Sequence, residues 1–173
     1  TLVQEISHKI KAIKPHVRFG ISPGGVWRNQ IDDPLGSPTR AGKTNYDGDF
    51  ADTRAWVKDG LIDYIVPQVY WSSGRKDVPY GPIVRWWADT VKGTNTDLYI
   101  GMALYRAGTS SKAEPEWLAG NGVDEIKRQL DLNNAIPEVK GSILFRQGFL
   151  SDPKLKSVSA YLKKTWGKCR PKK

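Results

Sequence analysis

The sequence has few residues of the kinds that bind metals or cross-link chains. Its 173 residues include one cysteine, Cys169, and two histidines, His8 and His16. A single cysteine cannot form an internal disulfide, and this set is too small for a Cys/His zinc site. We therefore expect no internal disulfide and no structural metal.

Long apolar runs are also missing. No stretch of the sequence approaches the roughly 20 consecutive apolar residues that a membrane helix needs, so we expect no transmembrane segment. The first residues do not form the basic and then apolar stretch of a signal peptide. The chain begins at Thr1 rather than at a methionine, and we expect it to be part of a longer protein.

The motifs of several enzyme classes are absent from the sequence. The dinucleotide fingerprint does not occur, and the turn "SPGG" at residues 22–25 lacks the Gly-Lys-Ser/Thr ending of a P-loop. We therefore expect no cofactor. Glycoside hydrolysis normally needs two carboxyl groups that flank the scissile bond, and the chain supplies no convincing pair. The acids that could come near a site lie in predicted loops: Asp32, Asp33, Asp47, Asp49, Asp77, Glu114 and Glu116.

The charge of the chain is strongly positive. There are 27 Lys and Arg residues against 18 Asp and Glu residues, which gives a formal net charge of +9. This excess favours acidic polymers such as nucleic acids or anionic cell-wall glycans. Part of it belongs to a basic carboxy-terminal tail at residues 168–173, which we interpret as solvated. Because no nucleic-acid motif accompanies the charge, we expect no specific nucleic-acid partner.

The apolar pattern predicts one helix followed by four strand-and-helix units. Leu2, Ile6, Ile10 and Ile13 recur at helical spacing and stop before Pro15. Strands are predicted at residues 17–22, 61–71, 98–105 and 141–146, and helices follow them at 51–59, 82–92, 123–130 and 152–166. The near-continuous apolar stretch at 61–71 is typical of a strand that is covered on both faces.

Such alternation predicts an α/β fold, with helices packed on a parallel sheet. Four units fit either a small doubly wound sheet or half of a (β/α)8 barrel. We expect one domain over residues 1–167, followed by the tail. In both arrangements ligands bind at the carboxyl ends of the strands.

Aromatic, amide and guanidinium side chains follow the four predicted strands. Sugar rings pack on aromatic faces and their hydroxyl groups need polar partners, so this mixture favours a carbohydrate ligand. A plainer interpretation is that Trp27, Trp71 and Tyr105 only fill the mouth of the fold. The candidate substrate-binding residues are Ser22, Trp27, Arg28, Asn29, Gln68, Tyr70, Trp71, Tyr105 and Arg146.

Four segments, in this order and at this spacing, resemble a known family. They are "IKPHVRFGISPGGVWRN", "ADTRAWVKDGLIDYIVPQVYW", "WW" before "LYIGMALY", and "VKGSILFRQGFL". They resemble the carboxy-terminal half of the glycosyl-hydrolase-like family ten proteins of bacterial envelopes, over most of the chain. The resemblance implies that this chain supplies strands five to eight, the second half of a (β/α)8 barrel similar to the TIM barrel.

The resemblance also implies an activity and a location. Members are secreted or lipoprotein-anchored and act on peptidoglycan glycan strands, with catalytic acids at the end of the fourth barrel strand. Those acids would lie upstream of Thr1, so we identify no catalytic residue here. We expect the parent protein to be a glycoside hydrolase and this chain alone to bind glycan weakly without turnover. The alternative is a non-catalytic glycan-binding module.

Half of a barrel would leave one sheet face and two strand edges open. We expect that face to be lined by Phe19, Ile65, Tyr70, Ile100 and Met102 or their immediate neighbours. Covering it requires a partner. The expected partners are the amino-terminal half of the barrel or a second copy of the chain in a homodimer.

Overall fold

The computed structural model describes residues 1–167, and the predicted basic tail at 168–173 lies outside the described residues. The helices are α1 (Leu2–Ile13), α2 (Asn45–Asp49), α3 (Thr53–Lys58), α4 (Tyr80–Val91), α5 (Val123–Ala135) and α6 (Lys156–Trp166). The strands are β1 (Gly20–Ile21), β2 (Tyr64–Ile65), β3 (Asp97–Met102) and β4 (Val139–Leu144). Short 3-10 helices span Leu104–Arg106, Pro115–Gly122, Gln147–Ser151 and Pro153–Leu155. The predicted α/β alternation is confirmed, whereas α2 lies inside a segment that was predicted to be a loop.

The four strands form one parallel sheet in the order β1-β2-β3-β4. Each strand pairs with the next strand along the chain, and the order does not reverse within residues 1–167. Doubly wound sheets reverse their strand order at a switch point, whereas barrels add strands in one direction. The sheet is therefore compatible with half of a barrel.

Strand β2 is much shorter than the predicted strand at 61–71. Pro67 follows it closely and has no N–H group to donate, so the ladder of hydrogen bonds is interrupted there. Pairing then resumes, because the Gln68 amide donates to the Pro23 carbonyl at 2.9 Å and the Gly101 amide donates to the Pro67 carbonyl at 2.9 Å. The interruption leaves Gln68 at the carboxyl end of the sheet.

Helices α4 and α5 pack on one face of the sheet and form the core with it. Ile65, Ile100 and Met102 are fully buried on this covered side. Asn133 of α5 donates to the Ser142 hydroxyl of β4 at 2.8 Å and contacts the Met102 sulfur at 3.7 Å. These three apolar residues therefore do not line the open face, although the sequence predicted that they or their immediate neighbours would.

Their neighbours in the sequence lie on the open face instead, because side chains alternate along a strand. Tyr64 and Tyr99 meet edge to face, with ring centroids 6.0 Å apart. The Tyr64 ring covers Gly20 of β1, where any side chain would collide with it. Ile143 of β4 is 47% exposed on this face. Aromatic rings thus cover part of the face opposite α4 and α5.

None of the helices within residues 1–167 combines the length and the apolarity needed to cross a membrane.

Candidate functional site

A cleft of about 410 Å³ lies at the carboxyl ends of β1, β2 and β3, and we refer to it as the aromatic cleft. Its lining combines aromatic, amide and charged side chains with two glycines. The lining residues are Gly24, Gly25, Val26, Lys43, Asn45, Asp49, Gln68, Tyr70, Trp71, Tyr105 and Arg106. Four of the predicted site residues, Gln68, Tyr70, Trp71 and Tyr105, therefore lie together.

Gln68 lines the cleft from the end of β2. Its side-chain nitrogen donates to the Ser22 carbonyl oxygen at 2.9 Å, and the Ser22 hydroxyl donates to the Val66 carbonyl oxygen at 2.9 Å. These bonds orient the amide of Gln68. Its side-chain oxygen accepts no hydrogen bond from any residue in 1–167, so it can accept one from a ligand hydroxyl.

Aromatic rings form one side of the cleft. Tyr70 and Tyr105 meet edge to face at 6.0 Å, and Phe145 packs on both rings at 5.9 and 6.3 Å. Burial raises the pKa of the Tyr70 hydroxyl, and the neighbouring Tyr105 adds to the rise. The Tyr70 hydroxyl therefore stays protonated and can donate a hydrogen bond at neutral pH. Phe145 was not predicted as a site residue, although an aromatic residue just after a strand is the signal that selected Tyr105.

Because Gly25 has no side chain, the Trp71 ring can pack against it in the cleft. A side chain at position 25 would collide with that ring and with the backbone of Gln68. The Gly25 carbonyl oxygen also accepts a hydrogen bond from the buried Trp87 indole at 2.8 Å. The glycine in "SPGG" is therefore explained by close packing of strand ends rather than by phosphate binding.

Two side chains of helix α5 form hydrogen bonds with the segment that follows β2. Gln129 donates to the Trp71 carbonyl oxygen at 3.1 Å, and Glu125 accepts hydrogen bonds from the Ser73 amide and hydroxyl, each at 2.7 Å. Gln129 also donates to Glu125 at 2.8 Å, and both side chains are fully buried. Sequence reasoning missed both residues, because polar positions on a helix normally face solvent.

Glu114 holds the same loop from the other side. It is 4% exposed and accepts a hydrogen bond from the Ser72 amide at 2.8 Å and one from the Trp117 indole at 3.3 Å. It also forms a salt bridge with Arg106, which lines the cleft. Burial by itself would raise the pKa of the Glu114 carboxyl, but the hydrogen bonds from Ser72 and Arg106 outweigh it and hold that pKa below its usual range. Glu114 is therefore ionised at neutral pH and positions Arg106 instead of donating a proton.

Trp27 does not line the aromatic cleft. It is 4% exposed, stacks on Trp86 at a centroid distance of 5.9 Å, and donates from its indole to Asp52 at 2.9 Å. Its ring is thus used in packing the first loop against α4, which is the plainer interpretation of an aromatic residue in this region.

Arg28 lies in a second cleft of about 470 Å³ within the first loop. It donates two hydrogen bonds to the Asp47 carboxylate, at 2.9 and 3.1 Å, and one to Asp33 at 2.8 Å. Its guanidinium group lies 4.6 Å from the centroid of the Tyr46 ring. Hydrogen bonding from Arg28 holds the pKa of Asp47 below its ordinary value. Most hydrogen-bond donors of the Arg28 guanidinium are therefore engaged by carboxylates of the first loop.

Asn29 is 7% exposed, and its amide connects distant parts of the first loop. It donates to Asp32 at 3.0 Å and to the Ala41 carbonyl at 3.1 Å, and it accepts from the Ala41 amide at 2.7 Å and from Thr39 at 3.0 Å. All four hydrogen bonds close the segment between residues 29 and 41. Asn29 therefore shapes the loop and does not lie at the aromatic cleft.

We expect Asn29→Ala to lower stability, because it leaves the Ala41 amide and carbonyl without their partner. The expected loss in the free energy of unfolding is about 2–3 kcal/mol, measured by urea denaturation. Gln30→Ala removes an amide from the exposed neighbouring position and is the matched control. Equal, small effects of both substitutions would contradict a loop-closing role for Asn29.

Arg146 is exposed at the end of β4 and is not part of the lining of the aromatic cleft. Its guanidinium group lies 5.8 Å from the centroid of the Phe149 ring, and Phe149 packs on Tyr105 at 6.0 Å. Arg146 therefore belongs to the surroundings of the cleft.

Of the acids weighed from the sequence, only Asp49 lines the aromatic cleft. It forms a salt bridge with Lys43 at 2.5 Å. Helix α2 carries Asp49 to the cleft, and Thr44 caps that helix by accepting from the Asp47 amide at 3.3 Å. The Thr-x-x-Asp spacing of residues 44–47 is a helix-start signal that could have revealed α2.

Similar sequences are known in bacteria. The chain is 53% identical over 166 residues to "Glycosyl hydrolase DigH" of Escherichia coli K12, which covers 96% of this chain and 38% of that protein. It is 48% identical over 144 residues to "Glycosyl hydrolase YngK" of Bacillus subtilis 168, which covers 83% of this chain and 27% of that protein. The chain thus spans less than half the length of these relatives.

The sequence profile of the family described as "Glycosyl hydrolase-like 10" matches residues 1–119, which include β1, β2, β3 and the aromatic cleft. The resemblance inferred from the four sequence segments is thereby confirmed, and the chain belongs to the glycosyl hydrolase-like 10 family.

Proposed function

We propose that this chain forms the substrate-binding half of a glycoside hydrolase that acts on glycan strands of the bacterial cell wall. In this proposal the four strand-and-helix units are strands five to eight of a (β/α)8 barrel. The parallel sheet with its one-directional strand order supports the barrel, and membership of the family supports the hydrolase.

The aromatic cleft is the observation that carries the proposal. Tyr70, Trp71 and Tyr105 offer aromatic faces for the apolar side of a sugar ring, and Gln68 offers an oriented amide for its hydroxyl groups. The cleft lies at the carboxyl ends of the strands, where barrel enzymes bind their substrates. Its volume of about 410 Å³ is within the usual range of small-ligand sites.

We further propose that the principal catalytic acids lie upstream of Thr1. Asp49 is the one carboxylate that lines the cleft within residues 1–167, and it forms a salt bridge with Lys43. A glycosidase needs a second, protonated carboxyl group across the scissile bond. The same observation also favours the alternative of a non-catalytic glycan-binding module.

The remaining parts of the proposal concern the surroundings of this chain. Its partner is the amino-terminal half of the barrel or, if the chain occurs alone, a second copy of itself. The protein acts in the bacterial cell envelope or is secreted, since that is where cell-wall glycan lies. We treat residues 1–167 as one domain and 168–173 as a basic tail.

Trp71→Ala in the full-length protein tests the function. We expect the affinity for a cell-wall oligosaccharide to fall roughly tenfold, equivalent to about 1.4 kcal/mol, because a stacking face is lost. Isothermal titration calorimetry measures the affinity, and hydrolysis assays measure turnover. Turnover by the wild-type protein supports the enzyme, and binding without turnover supports the glycan-binding module.

Trp56→Ala is the matched control, since Trp56 is half-buried on α3 and does not line the aromatic cleft. Both variants should lose some stability. Only Trp71→Ala should lose affinity in molecules that remain folded. Unchanged affinity of folded Trp71→Ala would refute the proposed stacking role.

A further inference from the structure

A third cleft, which we call the basic cleft, is formed by two segments that follow strands of the sheet. It has a volume of about 500 Å³ and is lined by residues 74–77, which follow β2, and by Lys112, Ala113, Pro115 and Glu116, which follow β3. Glu114 links the two clefts, since it stands between Ala113 and Pro115 of the basic cleft and forms a salt bridge with Arg106 of the aromatic cleft. The two clefts are therefore neighbours.

The basic cleft contains cations that have no acidic partner in the part of the chain that the structure describes. Arg75, Lys76 and Lys112 line it, and none of them forms a salt bridge within residues 1–167. By contrast, the cations Lys43 and Arg106 of the aromatic cleft each have a carboxylate partner. The basic cleft therefore retains positive charge that can act on a ligand.

Two carboxylates also border the basic cleft, and they limit its net charge. Glu116 accepts a hydrogen bond from the Ser72 hydroxyl at 2.9 Å, and Asp77 is exposed. Three cations against two acids leave an excess of one positive charge. This small excess favours one anionic group over a long polyanion.

Arg75 gives more specific evidence for a ligand than the net charge of the cleft does. Its Nε atom is buried and has no hydrogen-bond partner in residues 1–167. Leaving a buried N–H group without an acceptor costs free energy, so such a group favours a ligand that supplies one. The Nε–H and the adjacent Nη–H of a guanidinium together bind the two oxygens of one carboxylate in a planar fork. The acceptor that suits Arg75 is therefore an anionic pair of oxygens, which the Nε–H reaches when this partly exposed side chain turns toward the cleft that it lines.

We propose that the basic cleft is a subsite for a carboxylate-bearing sugar unit, with Arg75 as its specificity-determining residue and Lys76 and Lys112 in support. This inference rests on the proposed function, since the neighbouring unit of the same glycan occupies the aromatic cleft. A free phosphate ion presents the same anionic oxygens, so the experiment includes it as a separate arm.

The test compares two oligosaccharides that have the same length and backbone and differ in a single carboxylate. Calorimetry is performed on the full-length protein at low and at high salt. We expect the acidic oligosaccharide to bind roughly tenfold more tightly at low salt and this preference to shrink at high salt, because ions screen the exposed lysines. Arg75→Gln should abolish the preference and leave the affinity for the neutral oligosaccharide unchanged.

Two further variants make the test specific. Arg75→Lys keeps the charge but loses the planar fork, so it should retain only part of the preference. Arg85→Gln removes an exposed arginine from the outer helix α4 and should retain all of it. A preference that survives Arg75→Gln, or equal losses for the acidic and the neutral oligosaccharide, would overturn the subsite.

The remaining arms separate this proposal from the proposed function. If neither oligosaccharide binds the wild-type protein, both proposals fail. If the acidic preference depends on Arg75 while Trp71→Ala has no effect, the subsite stands and the stacking role of the aromatic cleft fails. If inorganic phosphate binds through Arg75 but the acidic oligosaccharide shows no advantage, the cleft binds free anions and its assignment to a sugar is overturned. Binding of single-stranded DNA with equal dependence on Arg75 would likewise overturn it.

Discussion

Produced alone, this chain is expected to self-associate rather than to remain a monomer. Strands β1 and β4 are the two edges of the sheet, and Ile143 and Phe145 beside the open face are 47% and 48% exposed. A partner that covers 100 Å² of apolar surface contributes roughly 2.5 kcal/mol, so a modest contact is a large share of the roughly 5–15 kcal/mol that stabilises a domain. Unpaired strand edges favour association as well.

Size-exclusion chromatography with light scattering measures this result. We expect a dimer or a larger species instead of the 19.4 kDa monomer, together with binding of an apolar dye. Ile143→Asp places a charge on the open face and should weaken association. Ile31→Asp is the matched control, since Ile31 is 77% exposed in the first loop, away from the sheet. A sharp monomer without dye binding would contradict the half-barrel and favour a self-contained sheet.

Arg106→Gln is expected to destabilise the protein more than Glu114→Gln. Removing Arg106 leaves a carboxylate that is 4% exposed without its cation, whereas removing the charge of Glu114 leaves an arginine that is about a third exposed and can be solvated. We expect a loss of about 2–3 kcal/mol for Arg106→Gln, below the usual cost for a fully buried pair because water reaches the guanidinium. The double variant should recover most of the loss, since no buried charge remains.

The destabilisation by Arg106→Gln should also depend on pH. The pKa of Glu114 is lowered in the folded protein, so its ionised form contributes stability above its ordinary pKa of about 4.3, and that contribution is lost as the pH falls through the folded value. In Arg106→Gln the carboxyl of Glu114 loses one of the groups that lower its pKa, so it should take up a proton at a higher pH than in the wild type. The difference in the free energy of unfolding between wild type and variant should therefore be largest at neutral pH and should become smaller below pH ~4.3.

Urea denaturation across this pH range measures both effects. Arg128→Gln is the matched control, since Arg128 also pairs with a buried glutamate, Glu125, at 3.2 Å. Arg128 is 58% exposed, and Glu125 keeps the hydrogen bonds from Ser73 and Gln129 without it. The control should therefore lose less than about 1 kcal/mol. If Arg128→Gln lost as much stability as Arg106→Gln, this would contradict the role given to the pair of Arg106 and Glu114.

The alternation of apolar segments was enough to predict the fold class. Hydrophobic spacing identifies α4, α5 and α6, because each of these helices buries one apolar face along its length. The same spacing identifies α1, although Leu2, Ile6 and Ile13 of that helix are exposed. It also located all four strands, although it made β1 and β2 too long. The periodicity of 61–71 says nothing about hydrogen bonding, and the missing N–H of Pro67 interrupts the ladder there.

The aromatic cleft was predicted in part. Gln68, Tyr70, Trp71 and Tyr105 were found because they follow parallel strands directly, and such strands end at one edge of the sheet. Trp27, Arg28 and Asn29 were chosen for the same reason, but they lie in a long loop that turns them toward other partners. Distance from the strand end does not separate the two groups, since Trp71 is as far past β2 as Trp27 is past β1. The partners that each side chain finds in the folded protein separate them.

By itself the sequence determined the α/β class, the family and the strand ends that meet at the cleft, because these depend on local spacing and on short segments. The tertiary structure alone decided which polar residues are buried. Glu114, Glu125 and Gln129 are far from residues 71–73 in the sequence, and nothing in their own segments marks them as buried. They become hydrogen-bond partners only when α5 and the loop after β3 pack behind β2, since a buried backbone amide or carbonyl must be paired by whatever side chain folding brings to it.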